Sequence, residues 1–79
     1  MNTYESYELR AIGQEWLFAG GLNDREEVVR SLDTVSPADL ARECLDGWWC
    51  GDNVDCAPDD GDLAEAFAEL AANRAWLEE

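Results

Sequence analysis

Between Arg42 and Arg74 the chain carries nine carboxylates, Glu43, Asp46, Asp52, Asp55, Asp59, Asp60, Asp62, Glu65 and Glu69, and not one basic residue. On a helix, carboxylates spaced i to i+3 or i to i+4 stand about 4.5–6 Å apart along the axis. That is the scale of phosphates along a nucleic-acid strand. A protein channel lined with Arg and Lys to hold DNA or RNA would meet fixed negative charge in a similar layout and release its counterions in the same way. With Asp39 added from the preceding turn, these acids form the candidate partner-binding set. Two plainer explanations compete: a solvated acidic face, and adaptation to high salt, which also favours Asp and Glu over Lys. The second fits poorly with four Trp and three Cys in 79 residues and with basic residues cleared from one half of the chain while acids remain.

Other chemistries fail on spacing or on residue type. The acidic segment 51–61 resembles a hard-cation loop, but setting Gly61 at the invariant glycine of an EF-hand puts Cys56 and Pro58 where carboxylates are needed. Cys44, Cys50 and Cys56 are evenly spaced, yet structural zinc takes four ligands, usually from close Cys pairs, and the chain has no His. Cys44 is expected in the core, with Cys50 and Cys56 packed under the loop around Trp48 and Trp49, or joined to each other in a disulfide. No His, no Lys, no glycine-rich phosphate loop and no nucleophile-elbow serine are present. No catalytic residue, metal or cofactor is expected.

Composition narrows the partner. Nineteen Asp and Glu against five Arg give a formal net charge of -14, which repels nucleic acid and anionic membranes, since both bind through basic residues. A basic protein surface is the natural complement. An apolar fraction of 47 % with four Trp supplies one small core, so the chain is expected to fold instead of behaving as an acidic tail. No segment reads as a membrane span or a signal peptide, and a cytoplasmic location is expected.

The elements that must position these acids read as an all-α single domain, residues 1–79, of about four helices with an acidic loop before the last. A first helix is expected over residues 3–19, capped by Asn2 or Thr3, with Asn2 and Glu5 in capping-box spacing and Gly20-Gly21 as the stop. Its wheel is apolar on two sides, with Leu9, Ile12 and Trp16 on one and Tyr4, Tyr7, Ala11 and Phe18 on the other. A second helix over residues 23–32 opens with Asn23 and Glu26 in capping-box spacing and turns Val28, Val29 and Leu32 inward. Ser36-Pro37 opens a third over residues 37–46, ended by Gly47, with Leu40, Ala41, Cys44 and Leu45 on its dry side and Asp39, Glu43 and Asp46 opposite. Asp60 or Asp62 is expected to cap a fourth helix running to residue 77, with Leu63, Phe67, Leu70, Leu77 and Arg74 in one stripe and Glu65 and Glu69 on the other side.

Small size, a helical reading, extreme acidity and a carboxylate-dense half together resemble, at the level of class, the small phage-encoded inhibitors of bacterial defence: anti-CRISPR and antirestriction proteins of the DNA-mimic type. The resemblance implies a stoichiometric inhibitor that occupies the basic nucleic-acid channel of a CRISPR effector complex or restriction enzyme subunit and excludes target DNA. The alternative is an acidic adaptor for a basic protein unrelated to nucleic acid. The uncharged run Gly47-Trp48-Trp49-Cys50 departs from the class; Trp48 and Trp49 are candidate anchors if exposed, with burial in the core the competing expectation. Reversing Asp59 with Asp60, or Glu65 with Glu69, should weaken binding and leave the fold intact, whereas reversing Glu5 and Glu8 should do much less.

Overall fold

The computed structural model describes residues 3–49 and 51–78, with the backbone alone for residues 52–54. In chain order the helices are α1 (Ser6–Leu17), α2 (Arg25–Thr34), α3 (Pro37–Trp48) and α4 (Asp60–Ala72), with 3-10 turns at Ala19–Gly21, Gly51–Cys56 and Ala75–Glu78. Among the described residues there is no strand, and the fold is a small all-α domain. No described helix is long and apolar enough to cross a membrane.

Each helix starts where a side chain satisfies its first amide groups. Ser36 Oγ accepts from the Asp39 amide at 3.2 Å with Pro37 in the first turn, as the Ser-Pro pair predicts. The other three starts differ from expectation. α1 is capped by Glu5, whose amide donates to Glu8 at 2.9 Å; Asn2 lies outside the described residues. α2 starts one residue later than Asn23 would set it, because Asp24 accepts from the Glu27 amide at 2.9 Å and so completes the box. Asn23 instead donates its side-chain amide to Leu17 O at 2.9 Å and closes the turn behind α1. α4 is capped by Asp59, which accepts from the Gly61 amide at 2.8 Å, so Asp60 and Asp62 fall inside the first turn.

Helix ends depart further from expectation than helix starts. α1 stops at Leu17 and turns through Ala19, Gly20 and Gly21 with φ of 49°, 66° and 103°. Two glycines take left-handed angles that cost other residues energy, and Ala19 accepts that cost. α3 runs through Gly47 to Trp48, since a glycine inside a packed helix weakens it without ending it. α4 ends at Ala72, and the chain folds back in a short turn that still buries Leu77.

The core is apolar throughout: Phe67, Leu40, Leu63, Leu70, Val28 and Cys44 are fully buried, and no described polar or charged residue is buried. α4 is its axis, packed broadly against α3 and crossed by α1. Gly13 makes that crossing close, since a Cβ there would lie 3.0 Å from Leu70 Cδ1 and 3.2 Å from Phe67 Cε1. Trp16 meets Phe67 edge to face at 5.7 Å between ring centroids. On the far side of α1, Phe18 meets Trp76 at 6.1 Å, while Tyr7 and Ala11 stay exposed. Only part of the second apolar side of α1 is therefore covered. Arg74 lies beyond α4, not in its stripe, and pairs with Asp33 of α2 at 2.7 Å.

Candidate functional site

With no described charge buried, the carboxylates differ in whether the fold already employs them. Asp39 and Glu43, four apart, and Asp46, three further on, form an exposed stripe along α3. Asp39 has Arg42 within 3.8 Å. Glu43 and Asp46 have neither an ion-pair nor a hydrogen-bond partner among the described residues.

On α4, Asp62, Glu65 and Glu69 follow at three and four residues and line a groove against the start of α1, with Tyr4, Ser6 and Leu9 on the opposite wall. The helical wheel sets Glu65 and Glu69 opposite the buried stripe, and the start of α1 lies against them there. Glu69 is also not free of basic residues, as the bare sequence interval suggests, because Arg10 reaches it from α1 at 3.1 Å. Tyr4 closes one end of the region by donating its hydroxyl to Cys56 O.

The ten proposed binding acids thus divide. Asp39 and Glu69 are paired, and Asp59 caps a helix. Glu43, Asp46, Asp60, Asp62 and Glu65 are exposed and unpaired among the described residues. Asp55 is exposed, and the side chain of Asp52 lies outside the described residues. Sequence position misjudges the pairing because arginines remote in the chain fold back onto acids: besides Arg10 and Arg74, Arg25 reaches Glu78. Such exposed pairs contribute about 0–1 kcal/mol each to stability, but each removes one negative charge from what a partner can meet.

Trp48 is 37 % exposed at the end of α3 and Trp49 is half-buried, with their rings 6.0 Å apart and tilted by 57°. Core burial, the competing expectation, does not hold for Trp48. The ring borders a surface recess whose other walls are Trp16, Ala19, Gly20 and Gly47. Trp16 and Gly47 are not among the site residues that the sequence suggests, where Trp16 reads as core and Gly47 as the stop of the third helix.

Cys44 is fully buried as expected, and burial pushes its thiol up to about 12 from the usual 9.0. Cys56 is exposed, not packed under a loop. Cys50 lies outside the described residues, and with it any pairing of Cys50 with Cys56. No group of three or more His, Cys, Asp or Glu side chains among the described residues is arranged to hold a metal ion.

No protein-family model, curated protein or solved structure matches this chain.

Proposed function

We propose that this protein is an anti-CRISPR-type inhibitor: it binds the basic nucleic-acid-binding surface of a host defence complex, a CRISPR effector or a restriction enzyme subunit, and blocks access of target DNA. The observation that carries this reading is the set of exposed carboxylates without an internal partner, Glu43, Asp46, Asp60, Asp62 and Glu65, on two packed helices of a domain with net charge -14. Among the described residues, four of the five arginines are engaged with acids of the same chain, so little positive charge is left to repel a basic partner. Charge of one sign over a small body accelerates encounter with an opposite surface and sets its orientation. The protein does this by binding alone, without cofactor, metal or turnover, in the cytoplasm where such complexes work.

The test is competition. Saturating protein should displace duplex DNA from the target complex, with an affinity that falls steeply as salt rises. Undiminished DNA binding by CRISPR and restriction complexes at saturating protein would remove the mimic reading and leave an acidic adaptor for some other basic protein.

A further inference from the structure

The helices of this fold are not equally attached. α4 packs broadly against α3 and across α1, whereas the backbone of α2 runs closely beside no other element among the described residues. What α2 gives to the core is two buried side chains, Val28 and Leu32, with Val29 partly buried beside them. Its ion pairs go to one short segment. Arg25, in the first turn, pairs with Glu78, and Asp33, in the last turn, pairs with Arg74 at 2.7 Å. Arg25 and Asp33 stand about 12 Å apart along the helix axis, so residues 74–78 engage both ends of α2 while running in the opposite chain direction.

The order of charge fixes that direction. Docked the other way round, Arg25 would meet Arg74 and Asp33 would meet Glu78, like against like. Exposed pairs of this kind add little to stability; they set the register. Leu77, between Arg74 and Glu78 in the chain and buried in the same core as Val28 and Leu32, supplies the adhesion. On its other side the same segment is fixed to the body of the fold. Trp76 Nε1 donates to Leu70 O at 3.0 Å, and Arg74 Nε donates to Ala71 O at 2.9 Å. Both carbonyls lie in the last turn of α4, where the helix has no amide of its own to offer them. The Trp76 ring also meets Phe18 at the end of α1, edge to face. Residues 74–78 thus bridge α2 to α1 and α4.

We infer that residues 74–78 form a clasp, and that α2 opens from it as one unit while α1, α3 and α4 stay folded. Opening of part of a fold takes place where buried apolar contacts are few and the contacts that remain are exposed to solvent. α2 meets both conditions. The open form bares Val28, Leu32 and Leu77, an apolar surface that the closed form conceals, and parts Asp33 and Glu78 from their arginines. This device is independent of the partner that the protein binds.

Native-state hydrogen exchange, read amide by amide by NMR, tests it. The helical amides of residues 29–34 in α2 should be less protected than those of α3 and α4. Gly13→Val acts at the contact of α1 with Leu70 and Phe67 of α4. It should speed exchange in α4 about five- to thirtyfold and leave α2 unchanged, because that contact stays closed when α2 opens. Leu77→Ala should speed exchange in α2 roughly thirtyfold or more, the effect of losing a buried leucine. If that variant does not fold, Arg74→Gln, which leaves the apolar core whole, should speed it by up to about fivefold. Equal protection of α2 and α4, or equal acceleration of both by Gly13→Val, would mean that α2 opens only with the whole fold and would overturn the inference. Wild-type exchange of α2 in the clasp variant that folds would overturn it as well, since residues 74–78 would then not hold α2.

Discussion

Gly13 is present for lack of volume. Its φ is not in the left-handed range, and the atoms a Cβ would meet, Leu70 Cδ1 at 3.0 Å and Phe67 Cε1 at 3.2 Å, belong to side chains with almost no exposure. Helix propensity favours replacement by any residue but proline, by up to about 1 kcal/mol, but forcing volume into a packed contact costs about 1–3 kcal/mol. Gly13→Val, branched at Cβ, should therefore lower the unfolding free energy by about 1–2 kcal/mol, and an unchanged urea midpoint would show that α1 does not need this close approach. Cys44 permits a second test at the same scale. Its thiol, pushed up to about 12 by burial against 9.0, keeps its proton in the folded state where the unfolded chain would release it. Stability is thus undiminished below pH 9 and declines as pH rises from 9 toward 12. Cys44→Ala should flatten that decline in melting temperature. Alkylation of the native protein at pH 8, read by mass spectrometry, should label Cys56, which is exposed, and spare Cys44.

At the scale of the element, acids at helix starts and acids free for a partner have different duties. Asp24 and Asp59 accept backbone amides at 2.9 and 2.8 Å, and Glu8 accepts the Glu5 amide at 2.9 Å. Removing such a cap costs about 0.5–2 kcal/mol. Reversing Asp59 with Asp60 therefore weakens α4 as well as binding, and reversing Glu5 with Glu8 damages the start of α1, so neither is the clean charge test that the sequence suggests. Asp59→Ala should lower the melting temperature by roughly 4–8 °C per kcal/mol lost, while Glu43→Gln and Glu65→Gln, which have no partner among the described residues, should leave it nearly unchanged. Equal effects from all three would mean that the Asp59 cap adds nothing to α4. The binding comparison belongs to Glu43, Asp46 and Glu65.

Over the whole molecule, -14 charges on a body of 33 × 22 × 22 Å repel one another across distances close to the screening length of about 8–10 Å at 0.10–0.15 M salt. Raising NaCl from about 10 mM to about 0.5 M shortens that length severalfold. The melting temperature should rise, because the repulsion relieved outweighs the four exposed ion pairs among the described residues, about 0–1 kcal/mol each. Affinity for a basic partner should fall over the same range. A melting temperature that drops with NaCl would show that the ion pairs stabilise the fold more than self-repulsion weakens it. Opposite responses of folding and binding to one variable follow from charge held in excess of what the fold uses.

Four helices, an apolar core built on Leu40, Cys44, Leu63, Phe67 and Leu70, and the Ser36-Pro37 helix start were all legible in the chain, because periodicity and capping are local and act within a few residues. The one-residue slip at α2 and the start of α4 arose because two neighbouring residues could each cap, and the geometry of the turn selects between them. Pairing of charge was not legible. Glu69 lies 59 residues from Arg10, Glu78 lies 53 from Arg25, and only packing brings them together. The same holds for the recess, whose walls come from the ends of two helices, α1 and α3, that are not neighbours in the chain. Net charge is a sum over composition, but which carboxylates remain unpaired depends on distances that only the folded chain sets.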